Sequence, residues 1–155
     1  MINPLLKKLI SDAVERYSDT VFRVAFQYTR DRSDAEDIVQ ETFLQFMRTP
    51  PPTDDEAWVK AWLIRVTINK GKDFLRANKR KKVARSFPPP SPPENFDEVF
   101  EAIGKLSEKD RNALYLHYYE GYTAREIAEI TGDSERTVAK RICRAREKLK
   151  KFLEE

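Results

Sequence analysis

Five prolines crowd residues 88–93 of this 155-residue chain: Pro88, Pro89, Pro90, Pro92 and Pro93. Proline fixes φ and carries no backbone N–H, so this stretch can be neither a helix interior nor a central strand. Residues 87–95 are therefore expected to form an extended, semi-stiff linker. One piece of chain lies on each side, residues 1–86 and 96–155. Pieces of that size fold alone only marginally, because small domains bury a smaller share of their surface. Elsewhere only four glycines occur, and apolar residues recur at the 3.6-residue period of a helix. The expected fold class is all-α: two small helical domains joined by a Pro-rich linker, the second containing a helix-turn-helix.

The first piece reads as three helices. Residues 3–30 place Val14, Tyr17, Val21, Val24, Ala25 and Tyr28 near one face. Ser33, with Glu36 three residues on, has the spacing of a capping box and is expected to start the second helix. Ala35, Ile38, Val39, Thr42, Phe43 and Phe46 then face the core. After Pro50, Pro51 and Pro52, a third helix runs over residues 54–81, with Trp58, Trp62, Val66 and Phe74 as much of its apolar content. The second piece reads as helices over 96–106, 108–119, 123–130 and 134–153, with Ser107, Thr123 and Ser134 as caps.

The most informative stretch is GYTAREIAEITGDSERTVAKRICRAREK, residues 121–148. A short helix, a tight turn at Gly132 and a longer basic helix make a helix-turn-helix. Ala128 is small where the two helices cross, and Ile127, Ile130, Val138 and Ile142 fill their shared core. From Arg136 to Lys151 there are eight basic residues against one acid, Glu147. Long cations reach phosphates, while side chains near the helix N-terminus reach base edges in the major groove. Glu135, Arg136 and Lys140 are placed for bases; Thr123, Arg125, Arg141 and Arg144 are placed for phosphates.

Net charge is only +3, although 35% of residues are charged, so the distribution of charge carries the signal. A second basic cluster, Arg76, Lys79, Arg80, Lys81, Lys82 and Arg85, closes the aromatic-rich third helix. Basic and aromatic residues interleaved suit melted nucleic acid, whose bases stack on rings, although Trp62 is better read as core. The second helix is acidic instead. Asp37, Gln40, Glu41, Leu44 and Gln45 share its polar side, a pattern for a protein-binding face.

Three segments in series resemble bacterial RNA polymerase sigma factors of the extracytoplasmic-function class, group 4 of the sigma-70 family. DAEDIVQETFLQFMR (34–48) resembles the helix that docks on the β′ clamp coiled coil of the polymerase. AWLIRVTINKGKDFLR (61–76) resembles the helix that recognises and melts the minus-ten element. LSEKDRNALYLHYYEGYTAREIAEITGDSERTVAKRICRAREKLKK (106–151) resembles the domain that reads the minus-thirty-five element. The resemblance implies minus-ten recognition by residues 1–86 and minus-thirty-five recognition by residues 96–155, with the family's intervening domain absent. Asn69 matches the position beside the pocket for a flipped minus-ten base, with Lys72, Arg76, Lys79 and Arg80 as further minus-ten contacts. Asp37, Gln40, Glu41 and Leu44 match clamp-contacting positions. The implied partners are core RNA polymerase, through its β′ clamp helices and β flap, promoter DNA, and an anti-sigma protein as a further candidate. One feature departs from the family pattern, the short, proline-rich segment 49–55 before the tryptophan, and Gly71 within a helix carries a propensity cost of up to about 1 kcal/mol relative to alanine.

The sequence offers no phosphate-cradling glycine loop, nucleophile–base pair or metal-ligand spacing, so neither an enzyme nor a cofactor is expected. His117, among Tyr115, Tyr118 and Tyr119, reads as a packing residue. Cys143 is the one cysteine, which suits a reducing cytosol. Residues 1–10 do not read as a signal peptide, and no run approaches the roughly 18 apolar residues of a membrane span. A cytoplasmic protein without membrane insertion or small-molecule substrate is expected. The competing reading is a dimeric helix-turn-helix regulator that does not bind the polymerase core.

Overall fold

A computed structural model describes residues 3–81 and 98–154, except the side chains of residues 79–81, 99 and 100. The chain divides into two compact units, Met1–Pro89 and Pro90–Glu155. The expected linker, 87–95, lies outside the described residues, as do Lys82, Arg85 and Phe96. Every regular element among the described residues is a helix.

The first unit contains α1 (Pro4–Thr29), α2 (Arg32–Arg48) and α3 (Glu56–Lys81), and each helix packs on the other two. Asn3 caps α1 by accepting the Leu5 N–H at 2.9 Å, and Pro4 opens the helix where its missing N–H costs nothing. Arg30 ends α1 in the left-handed region at φ 50°. That turn leaves Asp31 extended, and its carboxylate accepts the Asp34 N–H at 2.9 Å. Asp31, not Ser33, is therefore the cap of α2. Ser33 is already inside the helix, and Glu36 pairs with Arg32 at 3.2 Å instead of reaching back.

The expected core face of α2 is buried at Ala35, Ile38, Thr42, Phe43 and Phe46, with Val39 half-buried. On α1 the small Ala13 is buried, whereas Val14 is 39% exposed and leaves the expected face. Helix α3 begins at Glu56, two residues later than expected, because Asp55 takes the cap and accepts the Trp58 N–H at 3.1 Å. Its buried face is built from Val59, Leu63, Ile64, Val66 and Ile68. Trp58 stands roughly 100° around the helix from Val59 and is 40% exposed. Trp62, expected in the core, packs edge-on against Phe46 at 5.7 Å.

Gly71 is explained by Tyr28. A Cβ at position 71 would come within 3.0 Å of the Tyr28 Cβ, Cγ and Cδ2 atoms. The missing side chain lets α1 and α3 close over a ring that is only 3% exposed.

The second unit contains α4 (Glu98–Ile103), α5 (Glu108–Tyr118), α6 (Ala124–Thr131) and α7 (Glu135–Glu154). Helix α4 stops short of the expected residue 106. Lys105 and Leu106 donate to Ala102 and Ile103 in a tight turn, and the buried Arg111 holds that turn by donating to the Gly104 and Leu106 carbonyls. Ser107 occupies the cap position of α5 but makes no side-chain cap bond. Thr123 and Glu126 form a reciprocal capping box at 3.2 and 3.0 Å. Gly132, at φ 83°, ends α6, and Ser134 accepts the Thr137 N–H at 3.1 Å to start α7. Ile127, Ala128, Ile130, Val138, Ile142 and Ala145 are buried between these helices, and Leu149 and Phe152 are half-buried.

Gly71→Ala is expected to destabilise the chain although it removes a helix-propensity cost of up to about 1 kcal/mol. Overpacking against Tyr28 should cost about 1–3 kcal/mol and outweigh it. Urea unfolding checks this: a lower midpoint is predicted, and a raised midpoint contradicts the packing account.

Candidate nucleic-acid interface

Helix α7 is amphipathic because its apolar stripe, Val138, Ile142 and Ala145, is spent on the core. What remains outward is basic. Glu135, Arg136 and Lys140 lie exposed in its first two turns, where sequence spacing placed the base-reading residues. The four residues expected at phosphates differ among themselves. Thr123 is exposed, and its hydroxyl is occupied by the capping box. Arg125 is exposed on α6 and lies 3.8 Å from Glu129. Arg141 folds back onto the turn, donating to Asp133 at 2.7 Å, and keeps 16% exposure.

Arg144 is held from behind by a residue that sequence reasoning missed. Its Nε and Nη2 donate to the Asp110 carboxylate at 3.0 and 2.6 Å. Lys148 approaches the same carboxylate at 3.8 Å. Asp110 is 1% exposed. Burial pushes its pKa up, but hydrogen bonding and charge from Arg144, a hydrogen bond from Ser107 and the charge of Lys148 outweigh it, leaving the carboxyl below its ordinary value of 3.8. In the sequence Asp110 reads only as an acid in a first helical turn; a partner 34 residues away leaves no local signature. His117 behaves as a packing residue, half-buried with Nδ1 2.7 Å from the Tyr122 carbonyl.

In the first unit, Asn69 is exposed midway along α3. Lys72 is half-buried, and Arg76 is exposed and paired with Asp73 at 3.0 Å. Lys79 and Arg80 continue the same helix in backbone, their side chains lying outside the described ones. Positions 69, 72 and 76 fall on one side by helical spacing. The exposed Arg65, four residues before Asn69 and not singled out from sequence, extends that row.

On α2, Asp37, Gln40, Glu41 and Leu44 are all exposed, so the expected row is brought together. Leu44 is 45% exposed, and Met47, one turn further and not anticipated, is 38% exposed. The Lys70 ammonium reaches Glu41 at 4.0 Å from α3 and partly offsets the acidic charge.

Among the described residues, no group of three or more His, Cys, Asp or Glu side chains is placed to hold a metal ion. No helix there is long and apolar enough to cross a membrane.

Comparison with known proteins matches both units. The family model "Sigma-70 region 2" covers residues 13–81, and "Sigma-70, region 4" covers residues 96–149. The ECF RNA polymerase sigma factor SigL of Mycobacterium tuberculosis is 31% identical over 153 residues, covering 91% of this chain and 86% of that protein. The RNA polymerase sigma factor SigV of Bacillus subtilis is 27% identical over 145 residues, covering 90% and 87%. Among solved structures, CnrH in complex with the cytosolic domain of CnrY aligns with TM-score 0.68 and 28% identity, over 94% of this chain and 87% of that one. The sigma factor RpoE of Bartonella quintana, bound to the anti-sigma factor NepR, shares the fold with TM-score 0.78 at 22% identity, over 93% and 96%.

The Asp110 cluster predicts an acid response. Its carboxyl binds a proton less readily folded than unfolded, so protonation favours unfolding. Its stabilising contribution is present above the ordinary value of 3.8 and disappears as pH falls through the lower folded value. Urea midpoints measured from pH 6 downward should fall more steeply below about pH 4 for wild type than for Asp110→Asn. Parallel profiles would show that the ion pair does not couple to stability.

Proposed function

The chain belongs to the sigma-70 family, in its extracytoplasmic-function class, and on that basis we propose how its two units share promoter recognition. It is a sigma factor that binds core RNA polymerase, recognises promoter DNA and directs transcription initiation. The observation that carries this is the pairing, in order along one chain, of region 2 over 13–81 with region 4 over 96–149. A dimeric regulator is not favoured, because a helix-turn-helix alone would leave the first unit's match without a role.

The first unit, within residues 1–86, docks on the polymerase and opens DNA; the second, within residues 96–155, reads the upstream element. Helix α2 meets the β′ clamp helices through Asp37, Gln40, Glu41 and Leu44. Their common exposure supports this, since an apolar residue ringed by polar groups suits a protein interface. Asn69 reads an unstacked minus-ten base, since a side-chain amide both donates and accepts. Lys72, Arg76, Lys79 and Arg80 attend the backbone of the same strand. In the second unit Glu135, Arg136 and Lys140 face bases in the major groove, and Thr123, Arg125 and Arg141 sit toward phosphates. Arg144 contacts DNA from the same helix. The β flap is the proposed polymerase contact of this unit.

The chain carries out no bond chemistry on this reading; the polymerase supplies it. Action in the cytoplasm follows from partnership with polymerase. The solved relative RpoE, bound to the anti-sigma factor NepR, supports such a protein as a regulator of this chain too.

Charge reversal of Asp37 and Glu41 to lysine should lower affinity for core polymerase at least tenfold while helical content by circular dichroism stays constant. Unchanged affinity removes the clamp assignment. Asn69→Ala in holoenzyme should lower permanganate reactivity of promoter thymines by an amount corresponding to about 1–3 kcal/mol, the range for one good base contact. Equal reactivity would make Asn69 an ordinary exposed helix residue.

A further inference from the structure

Arg144 is the one arginine on α7 that both pairs with a buried acid and stays open to solvent among the described residues. Its side chain is 55% exposed, whereas that of Asp110 is 1% exposed. Asp110 engages Nε at 3.0 Å and Nη2 at 2.6 Å, one whole edge of a planar, rigid group. The carboxylate is itself fixed: it is buried in the first turn of α5, where a helix N-terminus favours an anion. A guanidinium has five N–H donors. Two face Asp110, so the three at the opposite end, on Nη1 and Nη2, are held in a set direction.

Electrostatics decides what such an arginine is suited to. Gripping phosphate draws on net charge, through release of counterions. Asp110 sets one negative charge against Arg144 and Lys148, the latter at 3.8 Å, so the pair of cations offers DNA about half its formal charge. What the arrangement gains is orientation. A base edge demands two donors at fixed angles, as guanine does through O6 and N7, while a phosphate accepts from many directions.

We infer that Asp110 is a positioning residue for promoter recognition, holding Arg144 as a reader of a base edge rather than as a phosphate grip. The inference rests on α7 entering the major groove, as proposed above, and it moves Arg144 away from the phosphate role that its sequence position suggested.

The test uses the full chain in holoenzyme with core polymerase. The probe is a pool of promoter-length duplexes randomised over the upstream element, with bound molecules sequenced to give a preference at each base pair. Arg144→Ala and Asp110→Asn should flatten the preference at the same one or two base pairs, by about 5- to 150-fold. Asp110→Asn should at the same time leave or raise affinity for scrambled duplex. It should also steepen the salt slope by up to about 0.9, because a negative charge is gone. In an Arg144→Ala background it should change no preference. Arg144→Lys keeps the charge and spares the buried carboxylate; it should lose the same preference, which keeps the test decisive if Asp110→Asn folds poorly.

A uniform loss of affinity in Asp110→Asn with preferences intact would make Asp110 merely structural and overturn the inference. So would uniform weakening in Arg144→Ala, or full preference in Arg144→Lys, and in each case the sigma-factor reading would stand. If wild-type holoenzyme selects no upstream motif at all, the proposed function itself fails.

Discussion

Helix α2 can offer acids, amides and a leucine to a partner because its other side is consumed by the core. Phe43 and Phe46 join Ala13, Val21, Val59 and Leu63 in one cluster, with Trp62 against Phe46. In a helix with so little width, burying Ala35, Ile38, Thr42, Phe43 and Phe46 fixes the direction of Asp37, Gln40, Glu41 and Leu44. The same constraint orients α7, where burial of Val138, Ile142 and Ala145 turns the cations outward. Small units have no spare helix faces, so packing and recognition are two sides of one decision.

Much of this was legible in the sequence, and what was legible was local. The Thr123 cap, Gly132 and Ser134 each announce a helix end within three or four residues, and the structure uses all of them. The helix-turn-helix core, Ile127 to Ile142, followed from spacing alone. The failures share a cause. Whether Asp31 or Ser33 caps α2 depends on how α1 ends at Arg30. Gly71 looked like a weak point in a helix until Tyr28, on another helix, gave it a reason.

The candidate site divides the same way. Exposure of Asn69, Arg136 and Lys140 was readable from the 3.6-residue period. The distinction among α7 cations was not, because it is drawn by acids elsewhere in the fold. Asp133 draws Arg141 onto the turn, and Asp110 clamps Arg144 from α5. Sequence charge counts treat these arginines alike. Position relative to a buried carboxylate separates cations that supply attraction from one that supplies direction.

The most direct measurement is run-off transcription by core polymerase, with and without this chain, on a template pool randomised over both promoter elements. The account predicts that the chain is required for transcripts starting at a fixed distance from a pair of enriched elements. It predicts that the upstream element is needed for recruitment and the downstream one for opening. Transcripts that are unchanged by the chain, or a chain that binds palindromic duplex as a dimer without associating with core polymerase, would contradict it.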